Sequence, residues 1–174
     1  MEKILPFERS YWIIPGKLLA GEYPASINTT ETKKKLDGLV ATGIKTVISL
    51  TEAHEKNYDG IKLYDYTAHL ASEGIETYRK PIKDLSVPTK DEMDEIISII
   101  DKSLNENKPV YFHCWGGVGR TGTVLGCYLL HTQMATKKNV LDFIIYLKRS
   151  TSISHRESPE TEEQRRFILD YKST

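Results

Sequence analysis

Apolar residues along this chain alternate between short extended runs and helical spacings. Segments rich in β-branched or aromatic residues predict strands at 11–14, 18–21, 45–50, 75–79 and 108–112. Apolar residues that recur every three or four positions predict helices over 31–42, within 63–73, over 89–107, from 121, over 140–147 and from 158. Because strands alternate with helices, we expect an α/β fold with a central, mostly parallel sheet flanked by helices.

Capping residues mark the ends of several predicted helices. Gly43 follows the first long helix as a stop, and Thr89 precedes the helix over 89–107 as its N-cap. Ser158 is the predicted N-cap of the last helix, with Pro159 at the first helical position. We therefore expect the last helix to begin at Pro159.

The composition narrows the class of protein. The 174 residues suit one domain, which we expect to span 1–174. Basic and acidic residues number 24 each, so the chain has no net charge, and we expect neither nucleic acid nor an anionic membrane surface as a partner. The sequence lacks an apolar run that would insert stably into a membrane, and its N-terminus lacks the apolar core of a signal peptide. We expect a cytoplasmic monomer.

The segment from His113 to Gly122 combines a thiol, a guanidinium and a glycine-rich loop. It follows a predicted strand and precedes a predicted helix, so unpaired backbone N–H groups and the helix dipole favour an anion there. Cys114 is a candidate nucleophile, because these groups and Arg120 would stabilise its thiolate. Arg120 would bind two oxygens of a phosphate group. The predicted phosphate-binding residues are Trp115, Gly116, Gly117, Val118, Gly119 and Arg120.

Two neighbours of these residues have expected roles in catalysis. Thr121 lies in the first helical turn, where its hydroxyl would bond to the sulfur and make it a better leaving group. His113 is expected to orient the loop backbone rather than transfer protons. Other interpretations of Cys114 are a buried structural cysteine, a metal ligand or a sulfur-transfer loop like that of rhodaneses. The chain has only one other cysteine, Cys127, without metal-ligand spacing, so we expect no metal and no cofactor.

The sequence His-Cys, five residues, Arg, Thr at 113–121 resembles the signature of the protein tyrosine phosphatase superfamily and matches it at every defining position. The chain is most similar to small bacterial or atypical dual-specificity phosphatases. The resemblance extends from Trp12 to Gln164, and it implies a four- or five-stranded sheet with a helical bundle behind it, the cysteine-phosphatase fold. It also implies hydrolysis through a cysteinyl-phosphate intermediate.

Such a reaction needs a general acid outside the loop. Asp84 is the candidate, because it lies between two prolines in a segment that follows the predicted strand at 75–79. The resemblance implies the same residue. Asp91 and Asp94 compete weakly, since both fall within the helix that Thr89 caps. The resemblance also makes Gln164 the residue that would position the hydrolytic water.

The loop residues between Cys114 and Arg120 carry no charge. Related phosphoinositide phosphatases place lysines there, so a phosphorylated protein or peptide is the preferred substrate. We expect hydrolysis of phosphotyrosine, with phosphoserine and phosphothreonine as further substrates. The alternatives are a phosphatase of phosphoinositides or other small phosphomonoesters and, in a different class, a module that binds phosphoproteins without turnover.

Overall fold

The computed structural model describes residues 4–172, and within them the strands form one five-stranded sheet in the order β1-β2-β5-β3-β4. The strands are β1 (Ser10–Ile14), β2 (Leu18–Gly21), β3 (Thr46–Ser49), β4 (Glu76–Arg79) and β5 (Val110–His113). β1 pairs antiparallel with β2, whereas β2, β5, β3 and β4 pair in parallel. The expected α/β class and the mostly parallel sheet are confirmed.

Helices cover both faces of this sheet. They are α1 (Thr29–Ala41), α2 (Thr67–Ser72), α3 (Lys90–Asn105), α4 (Gly119–His131), α5 (Val140–Lys148) and α6 (Glu162–Asp170). Alternate residues of each central strand point to opposite faces, so Tyr111 of β5 packs with Leu36 and Leu39 of α1, whereas Phe112 packs with the cluster that includes α3 and α4. The core therefore has two layers, with α4 in contact with α3, α5 and α6 on one side.

Three helix starts differ from the sequence predictions. α1 begins at Thr29, two residues earlier than expected, after the N-cap Asn28. α4 begins at Gly119, two residues earlier than expected, so its first turn is part of the glycine-rich segment. α6 begins at Glu162, and its N-cap is Thr161 rather than Ser158. The Ser158 hydroxyl is instead buried and donates to the carbonyl of Val118, 2.7 Å away. No helix within residues 4–172 combines the length and apolar character that a membrane span requires.

Candidate active site

The candidate nucleophile directly follows the central strand of the sheet. In the parallel register, His113 at the end of β5 lies opposite Gly21 of β2 and Ser49 of β3. The N–H of Leu50 donates to the carbonyl of His113 at 2.8 Å, which continues the ladder one residue beyond β3. Cys114 is therefore held at the carboxyl edge of the sheet, where open α/β sheets commonly bind their ligands.

The phosphate loop, residues 114–120, folds around the sulfur of Cys114. The Cys114 Sγ accepts a hydrogen bond from the N–H of Gly117 at 3.3 Å and from the hydroxyl of Thr121 at 3.1 Å. Gly117 has a φ of 73°, and a Cβ there would lie 2.7 Å from the carbonyl carbon of Gly21, so this position requires glycine. Both donors thus contact the sulfur of a residue that is only 3% exposed.

Arg120 lies in the first turn of α4 and is only 2% exposed. Its Nη1 and Nη2 donate to the two carboxylate oxygens of Glu55 at 2.7 and 2.6 Å, and Nη1 also donates to the carbonyl of Ile82 at 3.1 Å. Nη2 lies 3.2 Å from Oδ1 of Asp84. Burial lowers the pKa of Arg120, but Glu55, Cys114 and Asp84 outweigh it and raise the pKa above its ordinary value, so the side chain stays charged.

The Nε of Arg120 is buried and has no hydrogen-bond partner among residues 4–172. A buried N–H without an acceptor costs free energy, and native structures seldom leave one unpaired. A bound oxyanion would satisfy this donor. The orphaned Nε therefore fits the phosphate-binding role expected of Arg120 from the sequence.

Glu55 is a site residue that the sequence analysis missed. It lies in the Glu55 loop, residues 51–63, which follows β3, and its side chain is 13% exposed. Its Oε2 also accepts the N–H of Glu52 at 3.1 Å, so the carboxylate is fixed from two directions. The available signal was its place in the loop after a strand that neighbours β5, since parallel strands end at the same edge of the sheet, but this signal does not separate Glu55 from Glu52.

The acid loop, residues 80–88, brings Asp84 to the same guanidinium. The Asp84 side chain is 63% exposed, so solvent or a leaving group can reach it. Asp94, a weaker candidate from the sequence, lies on α3 and accepts a hydrogen bond from the hydroxyl of Tyr171 at 2.6 Å. Of these two acidic residues, only Asp84 contacts Arg120.

His113 is completely buried beside the loop. Its Nε2 lies 2.5 Å from the hydroxyl of Tyr66 and its Nδ1 2.8 Å from the carbonyl of Cys114. These partners assign a neutral tautomer in which Tyr66 donates to Nε2 and the Nδ1–H donates to the carbonyl. Burial lowers the pKa of His113 to about 3. A neutral histidine in this network fixes the backbone at the nucleophile, which fits the orienting role expected of it.

Gln164 and Cys127 lie on the helices behind the loop. Gln164 is fully buried, and its amide would lie 3.2 Å from a Cβ at Gly119, so it packs directly against the phosphate loop. Cys127 is buried in α4, and burial raises the pKa of its thiol above the ordinary value. A thiol in such surroundings is unreactive, and Cys127 packs as part of the hydrophobic core.

A groove of about 790 Å³ begins at one end of the phosphate loop. Trp115 and Gly116 form this end, and the remaining walls come from residues 6–9, 22–35 and 61–64 together with Asn57 and Arg156. Beside the groove, the ring of Tyr58, which is 87% exposed, meets Trp115 edge-on at a centroid distance of 4.5 Å. A surface larger than a phosphate group therefore adjoins one end of the phosphate loop.

Comparison with known proteins assigns the chain to a family. Residues 21–134 match the family Tc-R-P, described as a polymorphic toxin system DSP-PTPase phosphatase. An uncharacterized protein of Methanocaldococcus jannaschii is 33% identical over 97 residues, which are 56% of this chain and 55% of that protein. The protein tyrosine phosphatase domain-containing protein 1 of Mus musculus is 29% identical over 153 residues, which are 84% of this chain and 20% of that protein. The chain thus spans about half of the first relative and a fifth of the second.

Solved structures share the fold at low sequence identity. Tk-PTP in its active form has a TM-score of 0.69 and 23% identity, with 92% of this chain and 93% of that chain covered. Kinase associated phosphatase has a TM-score of 0.73 and 20% identity, with 87% and 83% covered. PTPMT1 in complex with PI(5)P has a TM-score of 0.67 and 21% identity, with 91% and 94% covered. With the family match over 21–134, these findings show that the chain belongs to the DSP-PTPase family Tc-R-P of the protein tyrosine phosphatase superfamily.

Proposed function

We propose that this chain is a cysteine-dependent phosphomonoesterase. The observation that carries the proposal is the arrangement around Arg120, six residues after the hydrogen-bonded Cys114. Its guanidinium contacts Asp84, while its buried Nε has no hydrogen-bond partner within residues 4–172. A nucleophile, an anion-binding group and a proton donor thus meet at one helix N-terminus. These are the three components that transfer of a phosphoryl group to sulfur requires.

In the first step, the Cys114 thiolate attacks phosphorus and the bond between phosphorus and the ester oxygen breaks. Arg120 and the loop N–H groups stabilise the equatorial oxygens, and the protonated carboxyl of Asp84 gives its proton to the leaving oxygen. In the second step, water attacks the phosphocysteine while the Asp84 carboxylate accepts its proton. This step releases phosphate and restores the thiolate, to which Thr121 donates its hydrogen bond.

The proposed substrate is a protein or peptide that carries phosphotyrosine, with phosphoserine and phosphothreonine as further substrates. The uncharged loop residues and the aromatic pair Trp115 and Tyr58 favour an aryl phosphate as substrate. The adjoining groove offers room for the substrate residues that flank the phosphotyrosine. Lys34 and Lys62 line this groove, and neither forms an ion pair within residues 4–172. Acidic flanking residues would complement them.

A phosphoinositide is the second candidate substrate, and Arg156 is the observation that favours it. Its Nη1 would lie 3.5 Å from a Cβ at Gly116, so a cation from a distant segment lies beside a loop that has no lysine of its own. PTPMT1, which shares the fold, has been solved in complex with PI(5)P. Kinetic comparison of phosphotyrosine peptides, phosphothreonine peptides and phosphoinositides separates the candidates.

Two variants test the chemistry. Cys114→Ser should abolish hydrolysis of a small aryl phosphate, since a serine hydroxyl in this site is far less ionised than a thiol. Asp84→Asn should slow hydrolysis of phenyl phosphate by about 10²- to 10⁴-fold, the usual contribution of a general acid. Retention of turnover by Cys114→Ser would contradict the proposal. Tight binding of phosphopeptides by the wild-type chain without turnover would instead support a binding module.

A further inference from the structure

The acid loop is connected to the start of α6 at two consecutive carbonyl groups. The Nε2 of Gln164 donates to the carbonyl of Ser86 at 3.2 Å, and the hydroxyl of Thr161 donates to the carbonyl of Leu85 at 3.4 Å. Both carbonyls follow Asp84 directly in the chain. The position of the proposed acid is therefore set in part by a helix more than 70 residues away in the sequence.

The backbone at this connection is strained. Leu85 has a φ of 61°, in the left-handed region that residues other than glycine seldom adopt, and its side chain is largely exposed. Exposed side-chain packing cannot hold such a conformation. Together with the bond from the Ser86 N–H to the carbonyl of Lys83, the two hydrogen bonds from the start of α6 stabilise the turn that aims Asp84 at Arg120.

The remaining contacts of Gln164 occupy its amide oxygen, and burial keeps its second amide N–H away from bulk water. Its Oε1 accepts the N–H of Glu160 at 2.9 Å and the N–H of Thr161 at 3.1 Å. These partners fill both lone pairs of the carbonyl oxygen and fix which end of the amide is nitrogen. The amide also packs on Gly119, the residue before Arg120, and is fully buried. Gln164 therefore links the helix cap, the phosphate loop and the acid loop.

We propose that Gln164 is a positioning residue for the general acid, which it holds in place through the carbonyl of Ser86. This inference rests on the proposed function and gives Gln164 a role other than positioning the hydrolytic water. Since Gln164 acts through Asp84, its loss should affect the step in which the leaving group is protonated. Because Asp84 also accepts the proton of water in the second step, the test uses kcat/KM, which depends on the first step alone.

The test variant removes the amide N–H donor of Gln164 and keeps its oxygen acceptor. In Gln164→Glu, one carboxylate oxygen can still accept the N–H groups of Glu160 and Thr161, but the other faces the carbonyl of Ser86 and repels it. Gln164→Asn, which is shorter by one methylene group, also loses the connection and serves if the first variant does not fold. Gln133→Glu is the matched control, because Gln133 is exposed just beyond the opposite end of α4.

The readout is the dependence of kcat/KM on the leaving group. With phenyl phosphate, whose leaving group needs a proton, Gln164→Glu should lower kcat/KM about tenfold or more, a part of the full contribution of a general acid. With dinitrophenyl phosphate, whose leaving group needs no proton, kcat/KM should stay within about twofold of wild type. The double variant with Asp84→Asn should be no slower on phenyl phosphate than Asp84→Asn alone.

Two results would overturn the inference. An equal loss of kcat/KM on both esters would show that Gln164 does not act through protonation of the leaving group. Unchanged kcat/KM on both esters would show that Gln164 does not position the acid, and a lowered kcat in that case would place it in the hydrolysis of the intermediate.

Hydrogen exchange gives an answer that does not depend on activity. The Ser86 amide donates to the carbonyl of Lys83 at 3.1 Å within the acid loop, and in Gln164→Glu it should exchange faster than in wild type or Gln133→Glu. Unaltered exchange would refute the connection. If the wild-type chain hydrolysed no aryl phosphate, the proposed function would fail, and the exchange measurement would still decide whether Gln164 holds the acid loop.

Discussion

Neutralising Glu55 should destabilise the protein more than a typical surface substitution does. The ion pair joins an arginine and a glutamate whose side chains are 2% and 13% exposed, through two bonds of 2.6 and 2.7 Å. Loss of one partner of a buried pair costs about 3–5 kcal/mol. Because Asp84 and the carbonyl of Ile82 still contact Arg120 in Glu55→Gln, we expect the lower end, about 3 kcal/mol. For a chain of this size, that loss lowers Tm by about 6–12 °C.

Urea denaturation followed by tryptophan fluorescence measures this loss. Inorganic phosphate should restore more stability to Glu55→Gln than to wild type, because the anion again provides Arg120 with a negatively charged partner. Glu52→Gln is the control, since Glu52 is exposed and lies in the same loop. If Glu55→Gln unfolds at the wild-type urea midpoint and responds to phosphate as wild type does, the pair does not stabilise the buried guanidinium.

Two further predictions concern the packing of α4 and the buried histidine. Gly126→Ala would place a Cβ 2.5–2.9 Å from three side-chain atoms of Ile168. After the gain in helix propensity, we expect the free energy of unfolding to fall by about 1 kcal/mol, and by less in an Ile168→Val background. Urea denaturation measures both losses. An increase in stability would contradict this packing. The pKa of His113 is about 3 in the folded chain and 6.5 when unfolded, so the unfolded state binds more protons as pH falls below 6.5. Wild type should therefore lose about 2 kcal/mol more than His113→Asn between pH 7 and pH 5, and equal losses would show that the histidine is not buried in its neutral form.

The parts of the fold and site that the sequence predicted depend on local patterns. The short β-branched runs predicted the strands, and the spacing of Cys114, Arg120 and Thr121 within one segment predicted the phosphate loop. Asp84 could also be identified from the sequence as the candidate acid, because its loop follows a strand and is bounded by prolines. In these cases the residues that determine the structure lie within about ten positions of each other.

The features that the sequence did not predict depend on contacts between distant segments. Glu55 meets Arg120 across 65 residues, and the charged residues around Glu55 give no sign of which one is buried. At α6, two overlapping cap signals compete, one at Ser158 and one at Thr161. The carbonyl of Val118, 40 residues away, binds the Ser158 hydroxyl and leaves Thr161 as the cap. Local propensity cannot decide between such signals.

The contact between Asp84 and Arg120 makes ligand binding an exchange of anions. A phosphate group that bonds to Nε and reaches Nη2 competes at Nη2 with a carboxylate that is already there, so the electrostatic gain at Nη2 is the difference between two anions and not the full attraction of the guanidinium. A ligand with one negative charge replaces one singly charged anion with another, so it gains little electrostatic energy. A ligand with two negative charges gains one further charge–charge interaction with the guanidinium at short range. The site would thus discriminate phosphate monoesters from diesters and sulfate esters by charge, before their shapes are compared.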